Sequence, residues 1–404
     1  MDAQTRVDVS MGINSQRPRR ILILTADAGF GHRSAANAIS AALQEVYADA
    51  CTVEVVNPLD DKRVPILLRE SQTDYDKLVR TMPGFYKFWY ETSDTAAIST
   101  IVDMALLPML YDVLSDLVRK HRPDVIVTTY PLYQFPLYTV NSLRRRHVPL
   151  VTVITDLVSV HRVWFHRTCD LCIVPTEAVH QLGLEYHIPL HKLKIVGIPV
   201  HPHFARPSAG KASLRAELGW RADLSTLLVV GSKRVSNLRE VLRALNHARL
   251  PLQLVIVAGG DEVLYNDLTS WEWHTETRLY PFSKDMPTLM HAADCVMSKA
   301  GGLIVSESLA CGLPMVLIDV LPGQETGNAE YVVQNGAGAL AQDPITALEV
   351  LYHWLDQDGC RLAEHAQNAQ RLGRPRAAYD TAALIWEIAT QPKSTTSRPK
   401  SKKP

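Results

Sequence analysis

The chain predicts an α/β protein made of two doubly wound, Rossmann-like domains that face each other across a cleft. Three observations carry this. Short apolar runs of strand length alternate with helical segments, the pattern of a parallel sheet covered on both faces. The alternation stops at the Pro-, Ala- and Gly-rich stretch VHPHFARPSAGK (200–211) and then starts again. The 404 residues suffice for two domains of ordinary size, each with its own core.

Residues 1–19 read as a flexible lead-in. The run RILILTA (20–26) is a strand, SAANAISAALQEVYA (34–48) has helical spacing, and CTVEVVNP (51–58) alternates until its proline. DVIVTTYP (124–131), LVTVITD (150–156) and LCIVPT (171–176) are further buried strands of a first domain spanning 20–205. In the second domain, 212–388, a short helix SLRAELGW precedes the strands STLLVVGS (225–232), LQLVIVAGG (252–260), DCVMSKAGG (294–302) and LPMVLID (313–319). The end of the chain, 389–404, is a basic, disordered tail by composition. The segment 75–115 breaks the rhythm: Phe85, Tyr86, Phe88, Trp89 and Tyr90 lie close to Lys77, Arg80 and Lys87, followed by the apolar IVDMALLPMLYDVL. Two readings stand, a membrane-contacting surface and a helical pair that covers the sheet edge.

Composition narrows the function. Hydrophobic residues make up 47% and charged residues 21%, and 42 basic residues balance 42 acidic ones. This is a soluble globular composition without the basic excess of a nucleic-acid binder. The six cysteines are scattered, and the one CxxC, Cys169 with Cys172, lies in an apolar run that reads as buried thiols in a reducing compartment. The N-terminal residues lack the apolar region of a signal peptide, and no window approaches a membrane span. The expected location is cytoplasmic, attached peripherally to the inner face of the cell membrane.

The strongest constellation lies at 280–338. A strand ends in Ser298-Lys299-Ala300-Gly301-Gly302 and a helix starts at once. Free N–H groups and partial positive charge at a helix start suit a diphosphate, and glycines let the backbone approach it. Glu307, on that helix, is placed to accept two hydrogen bonds from a ribose. The loop LPGQETGN offers Gln324, Glu325 and Asn328 to sugar hydroxyls. In the first domain, Gly29 and Gly31 make a tight loop at the end of the first strand and His32 opens the next helix. Asp156 and His161 lie at another strand end, where the cleft belongs. Asp156 reads either as a group orienting a histidine or an acceptor hydroxyl, or as a solvated loop carboxylate. Trp164 reads as a lipid or sugar contact.

The run SKAGGxxVSESLACGLPMVL, followed by PGQExGNAxYVVxNG, resembles the nucleotide-sugar domain of glycosyltransferase family 28, in the branch of monogalactosyldiacylglycerol synthase and the processive diacylglycerol glucosyltransferases. The G-x-G-H-R-x-x-A motif at Gly29 and the T-D-x-x-x-x-H-x-x-W segment at Thr155 are similar to that branch as well, and the resemblance spans roughly 20–390. It implies a GT-B fold and inverting transfer of glucose or galactose from a UDP-sugar to diacylglycerol at an anionic membrane surface. It makes His32 the catalytic base, with helix capping or phosphate contact as the alternative, and gives Phe282 the loop whose backbone holds uracil. No DxD pair adjoins these motifs, which agrees with metal-independent chemistry and no cofactor beyond the donor. Two departures stand out. The loop Val230–Val235 has one glycine where the family has several, leaving Ser232, Lys233 and Arg234 as donor-facing groups or as solvent-facing ones. Phe30 replaces a glycine and narrows the cleft wall or touches the acceptor. A different acceptor (a polyprenyl-diphosphate sugar or a soluble metabolite), a UDP-sugar epimerase and a non-catalytic sugar-nucleotide binder are the competing readings.

Overall fold

The computed structural model describes residues 17–27, 30–66, 68–69, 96–144, 147–232, 235, 237–323, 325–356 and 359–391. Residues 1–16 of the lead-in, the aromatic and basic stretch at 70–95, and 392–404 of the tail lie outside the described residues.

The first sheet contains β1 (Arg19–Leu24), β2 (Cys51–Val56), β3 (Val125–Thr128), β4 (Leu150–Val153), β5 (Leu171–Val174) and β6 (Leu193–Ile195), in the order β2-β1-β3-β4-β5-β6. The helices between these strands are α1 (Phe30–Tyr47), α2 (Ala96–His121), α3 (Gln134–Leu143) and α4 (Glu177–Glu185). Strands β3, β4 and β5 are buried at every position, as β-branched and leucine runs must be when helices cover both faces.

The second domain opens with α5 (Lys211–Leu218) and continues β7 (Ser225–Val230), α6 (Leu238–Ala248), β8 (Leu252–Val257), α7 (Glu262–Thr269), β9 (Thr277–Tyr280), α8 (Met286–Ala292), β10 (Cys295–Lys299), α9 (Gly302–Ala310), β11 (Met315–Asp319), α10 (Thr326–Gln334) and β12 (Gly338–Leu340). The helices α11 (Pro344–Leu355), α12 (Cys360–Leu372) and α13 (Ala377–Thr390) close the chain. The sheet order is β12-β11-β10-β7-β8-β9, and every pair in both sheets is parallel. Helix α6 shows why the pattern folds this way: Leu238, Val241, Leu242 and Leu245 recur on one face, and all four are buried in one cluster with residues of β7 and β8. Asp343 caps α11 with Pro344 in its first turn.

The strand orders locate the sites. In the first sheet the winding reverses between β1 and β3, in the second between β7 and β10. Ligands of doubly wound sheets bind outside the carboxyl ends of the strands at such reversals. Those ends carry Thr25 to Asp27 and Thr128 to Tyr130 in one domain, and Gly231, Ser232 and Lys299 to Gly302 in the other.

The structure corrects one expectation, adds three strands and decides between the two readings of the described part of 75–115. Helix α13 does not belong to the second domain: Ala378, Ala382, Ile385 and Ala389 lie in the core of the first, with Ile21, Ile23 and Val127. Trp386 stacks on Tyr47 at 4.3 Å and the Tyr379 hydroxyl donates to Glu45 at 2.8 Å. The chain therefore crosses between domains twice, near 200 and again near 374. The strands β6, β9 and β12 carried no strand signal; they are three- or four-residue sheet edges, partly polar and half-exposed. In the segment 75–115, the described part belongs to α2, where Leu106, Leu110 and Leu114 bury against Leu22, Leu24 and Ile126. That is the sheet-covering reading, although Met104 on the same helix is 60% exposed.

Candidate active site

His32 lies in the first turn of α1, at the reversal of the first sheet. The Thr129 hydroxyl, one residue past β3, lies 3.0 Å from the His32 carbonyl oxygen and 3.0 Å from the Thr25 hydroxyl past β1. Those contacts pin the start of α1 to both strand ends. The imidazole is flanked by the rings of Tyr130, edge-on at 5.3 Å, and Trp164 at 5.8 Å. Its Nδ1 is 2.9 Å from the Thr155 hydroxyl, the ring's one side-chain hydrogen bond among the described residues. Desolvation in this recess pushes the pKa down to about 4, against a smaller opposing pull from the Thr129 main chain. The ring is therefore neutral at neutral pH.

The sequence-derived neighbours of His32 divide. Asp156 sits beside Thr155, but it is the threonine, not the carboxylate, that bonds the ring. Trp164 is 3% exposed and packs with Ile154 and Val160, so it walls the histidine and offers no surface to a lipid. His161 caps the short turn Arg162–Trp164, its Nδ1 accepting from the Val163 N–H at 3.2 Å. A Cβ on Gly31 would meet open space. Gly29 and the Phe30 side chain lie outside the described residues. Nearby, Arg33 grips Asp27 with two 2.8 Å hydrogen bonds and holds that carboxyl below its usual range.

Across the cleft, α9 begins at the reversal of the second sheet with Gly301 as its N-cap, no side-chain cap and no acidic residue in its first turn. The N–H groups there suit an anion. Lys299 stands beside them: a Cβ on Gly301 would lie 3.2 Å from its Nζ. The ammonium is ion-paired with Glu325, whose other oxygen accepts the Leu321 N–H at 3.1 Å. Lys299 escaped the sequence reading, although a lysine next to Ala-Gly-Gly at a strand end was visible. Glu307 lies farther along α9, and its carboxyl has no hydrogen-bond or ion-pair partner among the described residues. Desolvation raises its pKa to about 8. The residue is half-buried, so its carboxyl is open to hydroxyl donors.

Two polar residues assigned to the sugar have other work. Glu325 is 6% exposed and holds Lys299. Asn328 is fully buried; its amide donates to the Ala300 carbonyl at 3.0 Å and its oxygen accepts the Leu157 N–H at 3.1 Å. It bridges the two domains. Phe282 follows β9 and is 57% exposed. Ser232 is half-buried past β7, and Gln324, Lys233 and Arg234 lie outside the described residues. Gly231 is held against Val257 by a 2.8 Å main-chain bond, and a Cβ on Gly259 (φ +66°) would lie 2.2 Å from the Gly231 carbonyl oxygen.

The cleft is closed by the segment 155–159. A Cβ on Gly302 would lie 2.7 Å from the Thr155 carbonyl oxygen, and one on Gly327 would lie 2.3 Å from the Ser159 hydroxyl. Leu157 is 5% exposed and packs into the second domain's core. Among the described residues no group of three or more His, Cys, Asp or Glu side chains is arranged to hold a metal ion, and no helix is long and apolar enough to cross a membrane.

Residues 32–200 match the family described as monogalactosyldiacylglycerol (MGDG) synthase, and residues 226–379 match the glycosyltransferase family 28 C-terminal domain. A relative from Oryza sativa subsp. japonica, named probable monogalactosyldiacylglycerol synthase 2, chloroplastic, is 32% identical over 98% of this chain and 86% of its own length. Monogalactosyldiacylglycerol synthase 1, chloroplastic, of Arabidopsis thaliana is 30% identical over 95% of this chain and 73% of its length. Among solved structures, Acinetobacter baumannii MurG aligns with a TM-score of 0.61 at 15% identity, covering 92% of this chain and 100% of that one. Neisseria meningitidis UDP-GlcNAc 2-epimerase bound to UDP-GlcNAc aligns at 0.59 with 13% identity, covering 91% and 98%. At such identities the likeness is one of fold, and the fold is GT-B.

Proposed function

The chain belongs to the monogalactosyldiacylglycerol synthase family of glycosyltransferases, and from that premise we propose that it transfers a hexose with inversion from a UDP-sugar to diacylglycerol. The names of its relatives favour galactose over glucose. One observation carries the reading: a neutral, recessed histidine and an uncapped helix start, each at the reversal of its own sheet, are joined by a single residue, Thr155.

The chemistry follows from that placement. The diphosphate lies against the first turn of α9, where the free N–H groups and the Lys299 ammonium share its negative charge. Glu307 accepts the ribose hydroxyls. The acceptor hydroxyl approaches C1 from the side opposite the diphosphate. His32 Nε2 takes the hydroxyl proton, the new C1–O bond forms, and the C1–O bond to the diphosphate breaks with its electron pair leaving on UDP. Inversion results because one displacement occurs. The positive charge offered to the leaving group comes from the protein, so a chelator should leave turnover unchanged. The relatives' names imply a lipid acceptor, and peripheral attachment to a membrane completes the proposal.

The test is UDP release from UDP-galactose, UDP-glucose and UDP-N-acetylglucosamine, each with and without diacylglycerol in mixed micelles. Release from UDP-galactose that requires diacylglycerol supports the reading. Release with another lipid alone, or conversion of the UDP-sugar without any acceptor, replaces it with the other-acceptor or the epimerase reading.

A further inference from the structure

His32 has one side-chain hydrogen bond among the described residues, and that bond comes from the segment that closes the cleft. The Thr155 hydroxyl lies 2.9 Å from Nδ1. The same residue's carbonyl oxygen faces Gly302 so closely that a Cβ there would come within 2.7 Å. Two residues on, the Leu157 N–H donates to Asn328, which is anchored to the Ala300 carbonyl just before α9. The Leu157 carbonyl is tied back to the first domain by the Thr176 hydroxyl at 2.6 Å. Past it, Ser159 lies against Gly327 at the start of α10. The position of Thr155 is thus set by the start of the candidate diphosphate helix as well as by its own strand.

We propose that Thr155 is a positioning residue that couples domain closure to the state of the base: its hydroxyl accepts Nδ1–H of His32, which leaves the Nε2 lone pair free for the acceptor, and its main chain takes up this position only when seated on Gly302. The inference rests on the transferase reading for its consequence, but its geometry does not need a substrate. A threonine hydroxyl can accept from or donate to an imidazole nitrogen, and only acceptance leaves Nε2 able to take a proton. As a neutral partner the hydroxyl does not hold the ring protonated the way a carboxylate would, in keeping with a base that is uncharged before it acts. After proton transfer the imidazolium still donates Nδ1–H to the same oxygen, so no rearrangement accompanies the step. In an opened cleft the Asn328 bridge to Leu157 breaks, Thr155 is released from Gly302, and the tautomer of His32 is no longer fixed.

The experiment reads the tautomer and the kinetics separately. Long-range 1H–15N NMR of the full chain, labelled at histidine, should show the Nδ1–H form of His32 in the unmodified protein. In Thr155→Val the Nε2–H form should grow, and in Thr155→Ser the Nδ1–H form should return. Nε2–H in the unmodified protein, or the same tautomer in Val and Ser variants, overturns the proposal whether or not the transferase reading holds. With UDP release as the assay, Thr155→Val should lower kcat roughly 10–100-fold while the KM for the UDP-sugar stays within about twofold, and Thr155→Ser should recover most of kcat. An equal loss in both variants would mean a packing role and refute the coupling. Asn328→Ala extends the test to closure: it should loosen the His32 tautomer without touching the ring, and an unchanged spectrum would remove the second domain from the argument.

Discussion

Single residues set the site's chemistry through their surroundings. His32 and Glu307 are both recessed in the protein, and desolvation disfavours charge on each, lowering one pKa to about 4 and raising the other to about 8. For His32 this predicts a kcat, measured at saturating UDP-sugar, that is level from about pH 6 to about pH 8 and falls only as pH approaches about 4. An acid limb near pH 6.5, the ordinary value for histidine, would contradict it. The sign carries over to stability: the folded pKa is depressed, so the contribution is full above about 6.5 and is lost as pH falls through about 4. His32→Ala should reduce transfer roughly 10²–10⁴-fold while UDP still binds, and normal turnover would remove the residue from the mechanism. Glu307 makes a second prediction. Ribose hydroxyls that donate to its carboxylate favour the charged form, so UDP binding at about pH 7 should release a proton. Calorimetry in two buffers of different ionisation enthalpy measures this, and Glu307→Gln should abolish the buffer dependence. The motif GFGHR made His32 legible in the sequence, as GGLIVSE did for Glu307. Thr155 stands in a motif of its own, but its contact with His32 was illegible, because the two lie 123 positions apart.

Elements decide where those residues meet. The long buried strands and amphipathic helices were legible because their periodicity reports burial on one face or both. The edge strands β6, β9 and β12 were not, since three or four half-exposed residues leave no pattern. In the sequence, the loop 321–328 offers its polar groups to a sugar. The structure uses Asn328 and Glu325 instead to bind the domains and to hold Lys299. A local sequence cannot distinguish a polar group that faces a substrate from one that faces the other domain. Gly327 at the start of α10 yields a prediction at this scale. Its place against Ser159 leaves no room for a methyl group, so Gly327→Ala should force the cleft open. Small-angle scattering should then show a larger radius of gyration, with far-UV circular dichroism unchanged and transfer reduced. An unaltered radius with full activity would mean that the domains close some other way.

At the scale of the molecule, two sheets wound about their reversal points face one another, and the chain crosses between them twice because α13 returns to the first domain. That return was illegible: alanine-rich helical spacing at 377–390 says that a face is buried, not against which core. In the proposed reaction this closed pair of domains performs one displacement, with His32 on one side of the sugar and α9 on the other. The anomeric configuration of the product reports directly on that displacement. The purified protein would be given UDP-galactose labelled with 13C at C1 and diacylglycerol in mixed micelles, and the lipid product examined by NMR. A single displacement gives a galactolipid with a β linkage from the α-linked donor. An α-linked galactolipid, or galactose that never reaches the lipid, would contradict it.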